Sequence, residues 1–274
     1  MKIVFFGSSK YSLIGARTVH EQLGLLLVVT VPGSPLEEFA VERNIPYIAT
    51  DRLTDEIIAE IAKAEPDFLV VEDYGLILPD KLLKLPKFVS LNVHHSLLPK
   101  YRGPSPAPAA ILSGDKVSGV SIIEMSNIVD GGDIYAQTEY VLKKDETTDS
   151  LLRELNKLGG ELVVSVVRTI GKGKATKIKQ DETKTTSTKF MQKSDGFVDL
   201  TKTLPEEFDR KVRAYFPWPG VWTKAVLNGN EEKIVKFLPE KRIQVEGKKE
   251  MRYKDFLNGY PTADKRLVAF LRKN

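Results

Sequence analysis

The chain has 274 residues, of which 42% are hydrophobic and 28% charged, with a formal net charge of +4 and no cysteine. This length predicts one large domain, or a medium domain with an appendage. The composition excludes disulfides, thiolate metal sites and a membrane span of roughly 20 apolar residues. We therefore expect a cytoplasmic protein with no membrane partner.

The first 140 residues alternate short apolar strands with amphipathic helices. Strands are predicted at residues 3–6, 25–31, 68–71, 89–93 and 119–125. Helices are predicted after the turn at residues 7–9, over residues 37–42 and from Thr54. Such alternation predicts an α/β fold with a Rossmann-like, mostly parallel sheet that carries helices on both faces.

A long apolar stripe predicts a helix over residues 149–170, with Thr148 as its cap. We place the first domain at residues 1–179, a polar linker at 180–204 and a small domain at 205–274. From Thr201 onward the chain has 17 basic and 10 acidic residues, a balance of +7, while the rest carries −3. This basic part predicts a polyanionic partner, although such a balance is also compatible with an ordinary surface.

The strand at 89–93 ends in the most informative polar segment of the chain. Asn92 and His94 lie two residues apart and therefore project to the same side, whereas His95 faces the other way. In open parallel sheets, ligands bind at the carboxyl ends of the strands. A second loop, at residues 126–133, carries Asp130 beside two glycines, which let backbone approach a ligand closely.

These motifs resemble those of the folate-dependent formyltransferases. The run Ser96-Leu97-Leu98-Pro99-Lys100-Tyr101-Arg102-Gly103 is most similar to the methionyl-tRNA and amino-sugar branches. Further similarity lies at residues 74–79, 180–183 and 213–222, so the resemblance covers residues 1–225. It implies a formyltransferase domain followed by a small, mainly β domain, which here is a reduced OB-like one.

The resemblance implies that Asn92, His94 and Asp130 are catalytic. Formyl transfer to an amine develops an oxyanion, which the Asn92 amide and a protonated His94 would stabilise. Asp130 would keep His94 charged and relay the proton that the amine releases.

The resemblance also implies 10-formyltetrahydrofolate as the formyl donor, without a metal. The residues it assigns to this co-substrate are Tyr74, Gly75, Leu76, Ile77, Leu78, Ser96, Leu97, Leu98, Pro99 and Val129. Initiator methionyl-tRNA is the expected partner, bound by a monomer. The residues assigned to RNA are Lys100, Arg102, Lys211 and Arg213.

Two departures from the pattern of the tRNA-acting members leave other functions open. The tRNA-acting members carry a long basic loop after the second strand, whereas residues 31–35 of this chain contain no Lys or Arg. The part after Leu204 has 70 residues, which is short for a five-stranded barrel. An amino-sugar nucleotide N-formyltransferase, a 10-formyltetrahydrofolate hydrolase and a non-catalytic RNA-binding protein are the alternatives.

Overall fold

The structure is a computed structural model and describes residues 1–227 and 232–273. The chain divides into two compact units. The first unit comprises Met1–Pro106, Val117–Val141 and Leu152–Thr188. The second comprises Ala107–Lys116, Leu142–Leu151 and the chain from Lys189 onward.

The first unit is built on a seven-stranded sheet. Its strands are β1 (Ile3–Phe6), β2 (Leu27–Thr30), β3 (Tyr47–Ala49), β4 (Phe68–Val71), β5 (Val89–His94), β6 (Val117–Glu124) and β7 (Ile134–Val141). The order is β3-β2-β1-β4-β5-β6-β7, with the first five strands parallel and the last two antiparallel. β1, β2 and β4 are buried along their whole length, which is why they are continuously apolar. The predicted Rossmann-like fold is confirmed.

Helices connect the parallel strands, as the βαβ pattern requires. They are α1 (Ser12–Leu23), α2 (Pro35–Glu42), α3 (Asp55–Lys63) and α4 (Asp80–Leu83). Side-chain caps fix the first residues of α2 and α3. The hydroxyl of Ser34 accepts the Glu37 N–H, and that of Thr54 accepts the Ile57 N–H. Side chains at this position satisfy N–H groups that have no partner within the helix.

Two further helices follow in the chain. α5 (Pro106–Ser113) falls almost entirely in the second unit, and α6 (Thr148–Gly171) belongs to the first unit from Leu152 onward. The cap of α6 lies one residue earlier than the sequence predicts. The Thr147 hydroxyl accepts the Ser150 N–H at 3.1 Å, whereas the Thr148 hydroxyl donates to the Ala214 carbonyl at 2.6 Å.

The second unit contains a separate antiparallel sheet. Its strands are β8 (Val221–Val226), β9 (Glu232–Leu238), β10 (Arg242–Val245) and β11 (Met251–Arg252), in the order β11-β10-β9-β8. Its remaining helices are α7 (Pro205–Ala214), α8 (Tyr253–Gly259) and α9 (Lys265–Lys273). Phe208 packs edge-on against Phe237 and Phe270, with ring centroids 5.0 and 4.6 Å away, and these rings form the centre of its core. The described part of this unit is thus a four-stranded sheet with helices.

Candidate active site

The three residues predicted as catalytic meet in the first unit. Asn92 and His94 lie at the carboxyl end of β5, on the same side of the strand as expected. The Asn92 Nδ2 donates to Asp130 Oδ1 at 3.0 Å, and His94 Nδ1 lies 3.5 Å from Asp130 Oδ2. One carboxylate therefore contacts both the amide and the imidazole.

Asp130 sits in a loop whose backbone is tightly constrained. Its φ of +50° is left-handed, a conformation that Asp adopts more readily than most residues. A Cβ at Gly132 would lie 1.7 Å from the Glu124 carbonyl oxygen, so the loop closes only with glycine there. The Gly103 N–H donates to Asp130 Oδ2 at 2.8 Å. The carboxylate is thus held from two sides.

The environment of His94 acts against the expectation that it is protonated. Nε2 lies 3.0 Å from the Tyr101 carbonyl oxygen, which can only accept, so the ring proton is assigned to Nε2. Burial lowers the pKa of His94, and the charge of Asp130 only partly opposes this effect. A lowered pKa favours the neutral ring, in which Nδ1 is the nitrogen that can accept a proton.

Arg102, which the resemblance assigns to RNA, is instead buried within the first unit. Only 7% of the residue is exposed. Its guanidinium donates to Gln180 Oε1 at 3.0 and 2.8 Å, and to the Glu182 carboxylate at 3.1 and 2.8 Å. With its donors directed inward in this way, we remove Arg102 from the RNA-contacting set.

Gln180 is a residue of the site that sequence reasoning missed. Its Nε2 donates to the carbonyls of Asp130 at 2.7 Å and Gly132 at 2.8 Å. The similarity at residues 180–183 was the only signal of its importance, and it carried no indication of a role.

The segment that follows Gln180, within the predicted linker, is hydrogen-bonded to the loop after β5. The Arg102 N–H donates to the Thr186 carbonyl at 2.8 Å, and the Thr188 N–H donates to the Arg102 carbonyl at 2.7 Å. The Thr188 hydroxyl accepts the Ser105 N–H at 3.1 Å. Residues 180–188, which we name the strap, are therefore part of the first unit and not a free spacer.

Apolar side chains near the site are exposed in a way that suits a flat ring system. Ile77 is 91% exposed and Val129 is 68% exposed. A Cβ at Gly75 would meet nothing within 4 Å, so open space lies beside this backbone. The Tyr74 hydroxyl is buried without a hydrogen-bond partner, and burial raises its pKa to about 12. Exposed apolar groups around an open backbone are typical of a ligand site.

Two residues of the predicted folate set lie in the interior instead. Ser96 and Leu98 are buried, and the Ser96 hydroxyl donates to the Lys100 carbonyl at 2.6 Å. The Ser121 hydroxyl accepts the Leu98 N–H and donates to the Ser96 carbonyl. These two residues hold the loop onto β6, and we remove their side chains from the folate-contacting set.

A second charged cluster lies on the opposite side of β5. His95 Nδ1 lies 3.3 Å from Asp73 Oδ1, and Nε2 lies 3.6 Å from Glu72 Oε1. Burial raises the pKa of Glu72 to about 7, against the attraction of His95. Burial lowers the pKa of His95, but the carboxylates of Asp73 and Glu72 outweigh it and raise this pKa to about 10. The interior here holds a histidine cation beside two carboxyl groups.

Glycines of two helices make room for the Glu72 side chain. A Cβ at Gly15 of α1 would lie 1.8 Å from Glu72 Oε2, and one at Gly159 of α6 would lie 3.2 Å from Oε1. Both carboxylate oxygens are buried without a hydrogen-bond partner. Any side chain at position 15 would therefore displace this carboxyl group.

Basic residues of the second unit line a groove of about 780 Å³ between its elements. The cations of this groove, which we name the basic groove, are Lys241, Arg242, Arg252, Lys254 and Arg272. Of the residues assigned to RNA from the sequence, Lys100 is exposed in the first unit. Lys211 pairs with Glu207 at 3.1 Å, and Arg213 pairs with Asp209 at 2.8 Å.

Within residues 1–227 and 232–273, no three His, Cys, Asp or Glu side chains are grouped as metal ligands. Over the same residues, no helix is both long and apolar enough to cross a membrane.

Comparison with known proteins gives consistent matches. A family model described as formyl transferase matches residues 1–167. The methionyl-tRNA formyltransferase of Dictyoglomus turgidum (strain DSM 6724 / Z-1310) is 30% identical over 95% of this chain and 96% of its own.

Two solved structures share the fold. HypX from Aquifex aeolicus, in complex with tetrahydrofolic acid, matches 94% of this chain and 47% of its own, with TM-score 0.65 and 18% identity. A sugar N-formyltransferase from Shewanella sp FDAARGOS_354 matches 88% of this chain and 98% of its own, with TM-score 0.68 and 14% identity. At these identities the two structures show similarity of fold alone.

Proposed function

The chain belongs to the formyl transferase family, and on that premise we propose that it formylates the amino group of methionine on initiator methionyl-tRNA. The observation that carries the reaction is the contact of the Asp130 carboxylate with both the Asn92 amide and the His94 ring. These are the groups that an amine attack on a carbonyl requires.

The residues divide the work of the reaction among them. 10-Formyltetrahydrofolate supplies an activated formyl carbon. Asn92 donates one N–H to Asp130, which leaves its second N–H for the formyl oxygen as negative charge develops on it. As the new bond between nitrogen and the formyl carbon forms, His94 Nδ1 accepts the proton that the attacking amine loses, and Asp130 stabilises the imidazolium that results. The bond between the formyl carbon and N10 then breaks, and the imidazolium returns the proton to N10 of the departing tetrahydrofolate.

The folate contacts that we propose are those the structure leaves accessible. They are Tyr74, Gly75, Leu76, Ile77, Leu78, Leu97, Pro99 and Val129, with Leu78 contributing through its backbone because its side chain is buried. The exposed side chains of Ile77 and Val129 support this assignment, because a pterin ring would cover apolar surface that now faces water.

For the RNA we propose Lys100 and the basic groove, with Lys211 and Arg213 as weaker contributors. Phosphate attraction depends on cations that can reach the backbone of the nucleic acid. Lys241, Arg252 and Lys254 are exposed, whereas Lys211 and Arg213 are paired with acidic residues of α7.

One observation favours a second candidate acceptor, an amino-sugar nucleotide. β2 ends at Thr30 and α2 begins at Pro35, so the connection between them has no basic loop. The test offers the purified protein 10-formyltetrahydrofolate with methionyl-tRNA, with an amino-sugar nucleotide, or with neither. Formyl-methionyl-tRNA supports the proposal, whereas a formylated sugar alone, or formate alone, assigns the chain to a sugar transferase or a hydrolase.

We also propose that the protein works as a monomer in the cytoplasm, in support of translation initiation. The absence of cysteine fits a reducing compartment. Light scattering of the purified protein, alone and with methionyl-tRNA, would contradict the monomer if it gave twice the chain mass of 30.7 kDa in the absence of RNA.

A further inference from the structure

We propose that Gln180 is a positioning residue for formyl transfer, which fixes the Asp130 carboxylate by holding the backbone of the loop that carries it. The inference rests on the proposed function, because it presumes that Asp130 acts together with His94. It concerns a residue that does not itself touch the reacting groups.

The two N–H groups of the Gln180 side chain both bind the loop that carries Asp130. Nε2 donates to the Asp130 carbonyl at 2.7 Å and to the Gly132 carbonyl at 2.8 Å. These carbonyls belong to the turn in which Asp130 has a φ of +50°. A single amide therefore bonds the turn at two points, around the residue whose conformation is least favourable, and such conformations persist only where their surroundings hold them.

The oxygen of the Gln180 side chain is bound by Arg102. Oε1 accepts from Arg102 Nε at 3.0 Å and from Nη2 at 2.8 Å. The neighbours of Arg102 in the chain contact the catalytic pair, since the Tyr101 carbonyl lies 3.0 Å from His94 Nε2 and the Gly103 N–H donates to Asp130. Gln180 thus joins the loop of Asp130 to the loop that orients His94.

Glu182 in turn holds the Arg102 guanidinium in place. Its Nη1 and Nη2 donate to the two carboxylate oxygens of Glu182, at 3.1 and 2.8 Å. A two-point pair of this kind fixes the plane of the guanidinium. The Arg102 guanidinium presents donors to Gln180, whereas the loop carbonyls present acceptors to it. Only one orientation of the Gln180 amide therefore satisfies both partners.

These contacts specify an amide and exclude its nearest substitutes. In Gln180→Glu the carboxylate keeps the bond to Arg102 but presents a second acceptor to two carbonyls, which repels the loop. In Gln180→Met a side chain of similar length loses both sets of bonds. Because a misplacement of about 1 Å at a catalytic group costs about 100-fold in rate, we expect each variant to lower kcat by about that factor. The KM for folate should change less than kcat, since Val129 is the one proposed folate contact that lies in this loop.

The experiment is a double-mutant cycle on the full chain, using 10-formyltetrahydrofolate and methionyl-tRNA. It compares Gln180→Met, Asp130→Asn and the double variant, with the exposed Gln22→Met as the matched control. We expect Gln180→Met to cost about 100-fold in kcat in the wild-type background but less than about 3-fold in the Asp130→Asn background, because neighbours that act through one another are not additive. The ¹⁵N titration of His94 gives a second readout, in which Gln180→Met lowers the pKa as Asp130→Asn does.

The outcomes separate the two proposals. If the wild-type chain formylates methionyl-tRNA and Asp130→Asn is impaired, a Gln180→Met variant with normal kcat overturns the inference. An equal loss in both backgrounds, with the His94 titration unchanged, overturns it as well. If the wild-type chain formylates nothing, the proposed function fails, while the His94 titration still decides whether Gln180 positions Asp130. A change in the unfolding midpoint without a change in kcat or in that titration assigns Gln180 to stability alone.

Discussion

At the scale of single residues, the charge state of His94 decides its part in the reaction. Burial lowers its pKa from 6.5, while Asp130 acts in the opposite direction. We expect the ¹⁵N resonances of His94 to titrate below pH 6.5 in the wild-type protein, and lower still in Asp130→Asn, which loses the attracting charge. The rate should accordingly fall only at acid pH, where the base becomes protonated. A wild-type His94 that is charged at about pH 7 would contradict the assigned role.

Asn92 should be needed for rate and not for folding. Removal of one donor to a developing oxyanion costs about 100- to 1,000-fold in kcat, so we expect that loss in Asn92→Ala. The matched control is Gln22→Ala, which removes an exposed amide of α1 and should leave kcat unchanged. Circular dichroism of both variants checks the fold. An Asn92→Ala variant within about 3-fold of the wild-type rate would remove this residue from the catalytic set.

The cluster of Glu72 and His95 should make the protein less stable as the pH rises. The pKa of Glu72 is raised from 4.5 to about 7, and that of His95 from 6.5 to about 10. The folded state thus binds more protons than the unfolded state between these values, so the free energy of unfolding falls from about pH 4.5 to about pH 10. The Asp73 pKa is lowered, which adds dependence only at more acid pH.

Urea unfolding at several pH values checks this dependence. Glu72→Gln should flatten the decrease below about pH 7, while the same change at the exposed Glu60 should leave the curve as it is. An unfolding free energy that rises between about pH 5 and 9 would show that the pKa values of this cluster are shifted in the opposite direction.

The side of the strand shared by Asn92 and His94 is predictable from the sequence because alternation along one strand is a local property. The contact with Asp130 came from the resemblance and not from the pattern. Arg102 was misjudged because its partners, Gln180 and Glu182, lie 78 and 80 residues away in the chain. Nothing within the loop itself distinguishes a buried arginine from an exposed one.

At the scale of elements, the packing of α1 depends on the lack of a side chain at Gly15. Alanine normally favours a helix by about 1 kcal/mol over glycine. Here its Cβ would meet the Glu72 carboxylate, and overpacking of this kind costs about 1–3 kcal/mol. We therefore expect Gly15→Ala to lower the free energy of unfolding. In a Glu72→Ala background the same change should be neutral or stabilising, and equal costs in both backgrounds would rule out the steric explanation.

Other elements show what a sequence pattern detects. The strands with continuous apolar runs are predicted with ends that agree with the structure within two residues. β7 was missed because no residue of this edge strand is fully buried, so it lacks an apolar face. α5 was missed because Pro106 and Pro108 suggest a loop, although proline is tolerated in the first turn of a helix.

At the scale of the whole molecule, the excess positive charge should govern RNA binding. For phosphate contacts, the logarithm of affinity falls linearly with the logarithm of salt concentration, and loss of one contact lowers the slope by about 1. We expect Lys241→Ala and Arg252→Ala each to lower the slope for methionyl-tRNA in this way. Lys211→Ala is the matched control and should change it less, because Lys211 is paired with Glu207. Equal slopes for all variants would exclude the basic groove as the RNA surface.

The architecture of the whole chain was accessible from the sequence only in its outline. The apolar periodicity and the change of composition near Leu204 predicted two parts. The strap falls within the predicted linker because its polar, threonine-rich composition is typical of one. Its hydrogen bonds run through backbone groups and through polar side chains, which give no apolar signal. These side chains are Gln180, Glu182, Thr186 and Thr188.

The close approach of Gly15 and Glu72 also restricts how this lineage can diverge. A gene that acquires a side chain at position 15 while Glu72 is present encodes a destabilised intermediate. A gene that first replaces Glu72 with a smaller residue encodes a protein with spare room, in which position 15 is then open to change. The two substitutions are therefore expected to have a historical order, with Glu72 first, even where both end states fold equally well.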